Sequence, residues 1–332
     1  MSRFNRLTHA LGSVALGVAL ATPATAQTYP SKPIKMIVSI AAGSVTDVIM
    51  RAAGNELAPR FGQPLVIENM GGASGIIAGQ ACAGAAPDGH TICVIYHSTL
   101  SFNPLLFNKL PYDADKDFEL VTRLFFLIEG LAVSSASGVN SVAELKAAAL
   151  AKPAGFNFGT LGRGSYPELF LKWANNQWGT SIASVPFRGG GPVAQALVAG
   201  DIQAGKMGIG NFLPLLDSGK IKLIGVMAPN RSAQAPSVPT FAEAGLGDYK
   251  GRGWWGLAVP RGTPRPVVDR LNTEFTKLLV EPKFAAFLEK QAVISAPTTP
   301  EDFATFVRDD RKSAEALIKL ANTPREDYAP PK

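Results

Sequence analysis

The stretch from Ile34 to Phe61 constrains the fold of this chain more than any other, because it reads as a strand, a small-residue loop and a helix in succession. The apolar, β-branched run 34–40 predicts a buried strand. The loop 41–45 has little side-chain bulk, and Thr46 and Asp47 offer N-cap oxygens for a helix with apolar residues at helical spacing. Free N–H groups and a helix dipole at such a loop favour an anion. Taken alone, the pattern also fits an ordinary βα turn.

The same pattern recurs four times, which strengthens the anion-binding interpretation. Short apolar runs precede loops of small or polar residues at 71–75, 97–99, 160–166 and 188–192. Strands that alternate with helices at this spacing indicate βαβ units and parallel sheets. Ligands of open α/β sheets bind beyond the carboxyl ends of the strands. We therefore expect an α/β protein whose loops converge on one binding cleft.

The first 26 residues have the composition of a signal peptide. Arg3 and Arg6 form a basic start, residues 10–21 are apolar, and residues 24–26 (Ala-Thr-Ala) match a small-x-small cleavage site. The apolar segment is too short for a retained membrane anchor. We predict cleavage after Ala26 and export of the remaining 306 residues, which is enough for two domains.

The distribution of charge argues against one class of partner. Without the signal peptide the chain has 30 basic and 26 acidic residues, a net charge of +4. The basic residues are scattered, and their longest run is the pair Arg311-Lys312. A nucleic-acid partner requires a concentrated basic face. We expect no nucleic-acid partner, whereas the mild positive excess suits an anionic small molecule.

Two cysteines, Cys82 and Cys93, are separated by eleven positions. Export permits a disulfide between them. The sequence alone does not show whether their Cα atoms lie within bonding distance. A disulfide and two buried free thiols both fit the sequence.

Motifs of enzymes are mostly missing from this sequence. Ser74 lacks the glycine that follows the serine of a nucleophile elbow by two residues, no H-E-x-x-H, C-x-x-C or G-K-[ST] motif occurs, and no dinucleotide G-x-G-x-x-G motif follows the first strand. His97 stands near a loop without an adjacent acid, so a hydrolase using it with Ser74 or Ser165 is the weaker alternative. We expect no catalysis, no cofactor and no metal site.

Hydrogen-bond donors dominate the predicted cleft instead. Loop amides and hydroxyls would hold a carboxylate from two sides, and Arg188 would suit a bidentate contact with it. A solvated surface arginine explains Arg188 nearly as well. Trp254 and Trp255 are more typical of core or interface packing, although one of them would suit a cleft wall.

Several short motifs occur in a characteristic order along the chain. They are Tyr29–Ile34, Ala41–Asp47, Leu65–Asn69, Gly71–Gly75, Ala86–Gly89, Asn103-Pro104, Leu110–Asp113, Val185–Gly189 and Gly262–Pro264. Together they resemble the Bug/TctC family of periplasmic solute receptors. The resemblance implies a two-lobe, type II-like periplasmic binding protein, each lobe a mostly parallel sheet flanked by helices. It also implies a monomeric receptor that closes over a carboxylate and delivers it to the membrane permease subunits of a tripartite tricarboxylate-type transporter.

The predicted lobes are discontinuous in sequence. The first lobe comprises residues 27–127 and 254–332, and the second comprises residues 128–253. The chain would cross between them near Phe126 and Gly253, and the lobes would close about these crossings because the ligand makes better contacts with the closed form.

Two departures from the family pattern bear on the ligand. The first loop reads Ile-Ala-Ala-Gly-Ser at 40–44 where the family usually has Phe-Ala-Pro-Gly-Gly, and Met207-Gly208 stands where many members have Asp-Asn. Loss of that acid argues against an amino-acid ligand, whereas Met207, Phe102 and aromatic neighbours suit an aromatic body. We predict an aromatic mono- or dicarboxylate such as terephthalate. An aliphatic di- or tricarboxylate such as citrate, or a ligand sensor for a signalling kinase, is the alternative.

The predicted ligand-binding residues combine loop amides, hydroxyls and side chains for the ligand body. They are Ala42, Gly43, Ser44, Val45, Thr46, Ser74, His97, Ser98, Thr160, Ser165, Tyr166, Arg188, Gly189, Met207 and Trp254.

Overall fold

The computed structural model describes residues 29–153, 155–249 and 251–329. The predicted signal peptide and the cleavage after Ala26 lie outside these residues. Among the helices that are described, none has both the length and the apolar character needed to cross a bilayer. The described chain forms two α/β lobes, each organised around one sheet.

Strands and helices alternate along most of the chain. The strands are β1 (Ile34–Val38), β2 (Leu65–Asn69), β3 (Thr91–Tyr96), β4 (Phe118–Leu127), β5 (Glu129–Ser134), β6 (Asn157–Thr160), β7 (Ala183–Pro186), β8 (Ala204–Gly208), β9 (Ile221–Met227), β10 (Trp254–Pro260) and β11 (Val293–Ser295). The helices are α1 (Val45–Phe61), α2 (Ile76–Ala83), α3 (Asn103–Leu106), α4 (Val142–Ala151), α5 (Tyr166–Trp178), α6 (Gly190–Ala199), α7 (Leu213–Leu216), α8 (Arg265–Val280), α9 (Pro282–Lys290) and α10 (Pro300–Leu320). A π-helical turn, Ser98–Phe102, follows β3 directly.

The first lobe contains the sheet β2-β1-β3-β10-β4-β11, and the second contains the sheet β7-β6-β8-β5-β9. The predicted α/β class is therefore present, but the sheets are more mixed than expected. Parallel pairing is confined to β2-β1-β3 and β7-β6-β8, whereas the remaining neighbours pair antiparallel. The reason is that each sheet receives strands through a direct passage from the other lobe, without the helical crossover that parallel neighbours require.

The two passages between the lobes lie side by side. The chain leaves the first sheet at Leu127 and enters the second at Glu129, then returns to the first sheet at Trp254. The Leu127 N–H donates to the Gly253 carbonyl at 3.0 Å. This hydrogen bond ties the outgoing segment to the returning one, which is the arrangement of a hinge.

Helix α1 begins earlier than the sequence indicated. Its N-cap is Ser44, not Thr46 or Asp47, and its first helical residue is Val45. The Asp47 carboxylate instead accepts the Gly43 N–H at 2.9 Å. The side chain expected to cap the helix therefore shapes the loop in front of it, and the cap position itself faces the other lobe.

Cys82 in α2 and Cys93 in β3 form a disulfide, which settles the alternative that the sequence left open. Their Cα atoms are 6.1 Å apart, and both side chains are fully buried. The bridge attaches α2 to the strand that leads into His97.

We expect Cys82→Ala/Cys93→Ala to lower the free energy of unfolding by about 3 kcal/mol, because the unfolded chain regains the entropy of the open loop. Urea titrations with and without reductant measure the effect. Reductant should destabilise the wild-type protein by a comparable amount and leave the double variant unchanged. An equal response of the two proteins to reductant would contradict a stabilising disulfide.

Candidate ligand-binding cleft

The N-terminus of α1 lies against the second lobe. Ser44 is extended, with φ −75° and ψ 153°, so the chain turns into the helix at Val45. The Val45 N–H donates to Asn211 Oδ1 at 2.9 Å, and Asn211 Nδ2 donates to the Gly208 carbonyl at 2.9 Å. A carboxamide oxygen from the second lobe therefore meets the positive end of the α1 dipole.

Two further loop pairs complete this seam, by which we mean the contact between the loops after β1 and β2 and those after β6, β7 and β8. The Ala41 N–H donates to the Arg188 carbonyl at 2.9 Å. A Cβ at Gly71 would lie 2.3 Å from that carbonyl oxygen, so glycine is required for the close approach. The Ser74 N–H and hydroxyl both donate to the Leu161 carbonyl at 3.3 Å. The loops predicted to converge do so, largely through backbone carbonyls.

A small cavity lies in the seam, and the centre of a water molecule can reach about 30 Å³ of it. Its wall is mainly apolar and aromatic with a few polar groups, and the space has room for only one or two water molecules. The lining residues are Ile40, Ser44, Val45, Thr46, Tyr96, His97, Leu127, Glu129, Leu161, Pro167, Gly190, Met207, Gly208, Asn211 and Trp255. Of the predicted residues, Ser44, Val45, Thr46, His97 and Met207 are among them.

Three buried nitrogens on the cavity wall have no hydrogen-bond partner among the described residues. They are both ring nitrogens of His97 and the indole nitrogen of Trp255. His97 is 5% exposed and Trp255 is 3% exposed. Buried polar groups are normally hydrogen-bonded. These nitrogens therefore offer hydrogen bonds to a polar guest in the cavity.

His97 is surrounded by aromatic rings. Its ring centroid lies 4.1 Å from that of Tyr166 and 5.0 Å from that of Tyr96. Burial, together with the nearby positive charge of Lys206, holds the pKa of His97 well below the usual 6.5. The imidazole is therefore neutral near pH 7 and presents one donor and one acceptor.

A buried ion pair lies close to His97, and sequence analysis missed it. Glu129 begins β5, and Lys206 on the neighbouring strand β8 donates from Nζ to Glu129 Oε2. The two side chains are 5% and 0% exposed. Burial lowers the pKa of Lys206, and the charge of Glu129 opposes that shift. The rings of Tyr166 and Tyr249 each lie 5.6 Å from Nζ, so the pair sits in an aromatic shell.

A signal for this pair was present in the sequence. Glu129 and Lys206 are single charges within otherwise apolar strands, and charges buried in that way are nearly always paired. Which charges pair, however, depends on the register between β5 and β8. The structure supplies that register by placing Lys206 opposite Leu131, on the same face as Glu129.

Trp254 does not line the cavity, which corrects its predicted role. Neighbouring residues of β10 point to opposite faces of the sheet. Trp254 Nε1 donates to Asp310 Oδ2 at 2.8 Å, and its ring packs on Phe303. Trp255 instead faces the cavity and packs on Tyr96, with ring centroids 4.8 Å apart.

Several other predicted residues shape the loops and do not line the cavity. Ser98 Oγ, which follows β3, donates to the Gly164 carbonyl of the second lobe at 3.1 Å. Ser165 Oγ donates to the Gly162 carbonyl at 2.6 Å, within its own loop. The Thr160 hydroxyl lies 3.0 Å from that of Ser184. Tyr166 packs against His97, behind the lining.

The remaining predicted residues lie at or outside the seam. Ala42 and Gly43 are exposed, and Ser74 bonds across the seam as described above. Gly189 lies against Ser44, since a Cβ there would be 2.5 Å from Ser44 Oγ. The Arg188 side chain is exposed, and the carbonyl of this residue makes the contact across the seam.

The depressed pKa of His97 makes stability depend on pH in a known direction. Below pH 6.5 the unfolded chain protonates this imidazole while the folded protein does not, so stability falls as the pH decreases. We expect His97→Phe to remove up to about 1.4 kcal/mol per pH unit of that dependence between pH 6.5 and 5. Urea unfolding across this range measures it. An unchanged slope in both His97→Phe and His97→Gln would contradict a neutral, buried His97.

Because Glu129 and Lys206 neutralise each other, replacing one of them alone should destabilise the protein more than replacing both. We expect Glu129→Gln, which leaves a buried unpaired ammonium, to cost about 3–5 kcal/mol in the free energy of unfolding. Glu129→Gln/Lys206→Met should recover most of that loss, because no buried charge remains. A double-mutant cycle by chemical denaturation measures the coupling, and strictly additive losses would argue against the pair.

Comparisons with known proteins show the family of this chain. Residues 49–323 match the sequence profile of the tripartite tricarboxylate transporter family receptor. A UPF0065 protein of Bordetella bronchiseptica is 33% identical over 308 residues, which cover 92% of this chain and 90% of that protein. MatC from Rhodopseudomonas palustris with bound malate has a TM-score of 0.81 and 32% identity, covering 87% of this chain and 100% of its own. R. palustris Rpa4515 with adipate has a TM-score of 0.85 and 27% identity, covering 90% of this chain and 99% of its own.

These matches extend over both lobes. The solved structures confirm the two-lobe α/β architecture that the sequence predicted. The chain therefore belongs to the Bug/TctC family of periplasmic solute-binding receptors, the receptors of tripartite tricarboxylate transporters.

Proposed function

We propose that this protein binds a carboxylate between its lobes in the periplasm and delivers it, as a monomer, to the membrane subunits of a tripartite transporter. The observation that carries this proposal is the α1 N-terminus at the cavity wall, where the Val45 N–H meets the Asn211 oxygen. A helix N-terminus favours an anion through both its free N–H groups and its dipole. A ligand carboxylate oxygen would take the place of the Asn211 oxygen.

Binding on this proposal requires the seam to open and close again. The lobes are held by hydrogen bonds to neutral oxygens, such as Val45 to Asn211 and Ala41 to Arg188. A ligand shifts the balance between open and closed forms only as far as it contacts the closed form better. The full charge of a carboxylate at the start of α1 supplies such a difference, and Arg188 at the rim would add a second positive contact.

For the ligand body we propose an aromatic acid, either a mono- or a dicarboxylate. Tyr96, Trp255, Leu127 and Met207 form the apolar part of the cavity wall and would flank a flat ring. The lobes would have to move apart to admit the ring, because the cavity in this arrangement has room for only one or two water molecules. An aliphatic di- or tricarboxylate is the second candidate. It is favoured by the adipate and malate in the two R. palustris relatives.

The contacts of Ser74 and His97, two of the three residues considered for hydrolysis, favour binding over catalysis. The Ser74 hydroxyl donates to the carbonyls of Leu161 and Arg163, across the seam. His97, for its part, makes no hydrogen bond to a serine within the described residues. A general base must reach the proton of its nucleophile, and this pair is not arranged for that transfer.

Val45→Pro tests the proposed anion site. Proline is well tolerated at the first helical position, and the extended Ser44 before it suits a following proline, so the fold should persist without the N–H. Calorimetry of the wild-type protein against aromatic and aliphatic carboxylates identifies a bound acid. We expect Val45→Pro to lower the affinity for that acid by about tenfold or more, because the hydrogen bond from the Val45 N–H to the carboxylate is lost.

The matched control is Val45→Ala, which trims the side chain but retains the N–H. It should weaken binding less than Val45→Pro does. Equal affinities of wild type and Val45→Pro would remove the α1 N-terminus from the site. Binding of no carboxylate by the wild-type protein would overturn the proposed function.

A further inference from the structure

The cavity has a second polar wall that the carboxylate site at α1 does not use. It is built by His97, which follows β3, and by Glu129, which begins β5. Neither ring nitrogen of His97 makes a hydrogen bond of normal geometry within the described residues, although the Trp254 backbone lies close to the ring, and His97 is 95% buried. A ligand that supplies hydrogen bonds to a buried polar group of this kind gains binding free energy from them.

The two groups lie together around one backbone position. A Cβ at Gly253 would be 2.8 Å from Glu129 Oε1 and 3.6 Å from His97 Cε1. Glu129 Oε2, by contrast, receives the hydrogen bond from Lys206. Oε1 is therefore the carboxylate oxygen on the side of the imidazole.

The charge at this wall is already balanced. Lys206 neutralises Glu129 from behind, and Glu129, but not Lys206, belongs to the cavity lining. A second carboxylate on the ligand would meet the like charge of Glu129 first, which costs free energy in a buried site. A ligand ammonium would place another cation beside Lys206 and leave the site with a net charge.

We propose that this wall selects a carboxylate ligand whose other end carries an uncharged hydrogen-bonding group, of which a hydroxyl is the simplest. The hydroxyl donates to Glu129 and accepts a hydrogen bond from the imidazole N–H of His97. Its opposite end occupies the carboxylate site at α1, so this inference rests on the proposed function. Diacids and amino acids of the same skeleton are selected against.

The surroundings of the wall support a neutral group. Burial lowers the pKa of both His97 and Lys206, so this region disfavours added positive charge. The Trp255 indole N–H on the same cavity wall adds a further donor without a partner in the described residues. A hydroxyl is both a donor and an acceptor. It can therefore donate to the Glu129 carboxylate and accept from an N–H group of the same wall.

The test is a calorimetric comparison of two matched sets of acids against the wild-type protein. The aromatic set is benzoate, 4-hydroxybenzoate, terephthalate and 4-(aminomethyl)benzoate. The aliphatic set is butyrate, 4-hydroxybutyrate, succinate and 4-aminobutyrate. In the set whose body the cavity accepts, we expect the hydroxy acid to bind about tenfold tighter than the other three members.

Two variants separate the roles of the charges. Glu129→Gln leaves Lys206 uncompensated, so the diacid should gain about tenfold or more relative to the hydroxy acid. Glu129→Gln/Lys206→Met removes both charges and serves as the test if the single variant does not fold. In this double variant the preference for the hydroxy acid over the diacid should become smaller. His97→Phe keeps a ring in the aromatic cluster and should abolish the advantage of the hydroxy acid over the plain acid.

The outcomes distinguish this inference from the proposed function. Tighter or equal binding of terephthalate or succinate by the wild-type protein would overturn the inference and leave the carboxylate receptor standing. An unchanged ranking of acids in both Glu129 variants would also overturn it. Binding of none of the eight acids would overturn the proposed function and the inference together.

Discussion

The N–H groups at the start of α1 need hydrogen-bond acceptors, and the facing loops of the seam must provide them. When the lobes are in contact, these groups are removed from water and require an acceptor. Asn211 provides one from the second lobe, held in place by its own bond to Gly208. On the proposed function, an anion that enters the cleft would take the place of a neutral oxygen that is already aligned. The Val45 N–H would then have an acceptor both before and after binding.

A buried ion pair lies beside the hinge, whereas neutral hydrogen bonds join the lobes at the seam. Glu129 stands one residue beyond the passage at Ile128, and the returning Gly253 packs directly against its carboxylate. Separating Glu129 from Lys206 would leave an uncompensated buried charge, which is far more costly than breaking a neutral hydrogen bond. If the lobes open as proposed, we expect the neutral hydrogen bonds of the seam to break while the Glu129–Lys206 pair stays intact.

The sequence predicted the fold and the anion-binding loops because both arise from local patterns. The apolar run before Gly43 and the small residues after it determine strand, loop and helix within a few positions. Which residues line the cavity depends on strand register, and local patterns do not determine register. Trp254 and Trp255 are adjacent and chemically identical, yet Trp254 lies in the core and Trp255 faces the cavity. The ion pair and the Asn211 contact join residues 77 and 166 positions apart, and only the tertiary structure brings them together.

The opposite orientation of the two adjacent tryptophans has an optical consequence. The Trp254 indole donates to Asp310 in the packed core and does not line the cavity. The Trp255 indole lies on the cavity wall with a free N–H among the described residues, stacked near Tyr96. On the proposed function, a ligand in the cavity would change the polarity around the Trp255 indole directly, while the Trp254 indole stays bonded to Asp310. Binding would therefore alter the emission of one indole more than that of the residue next to it.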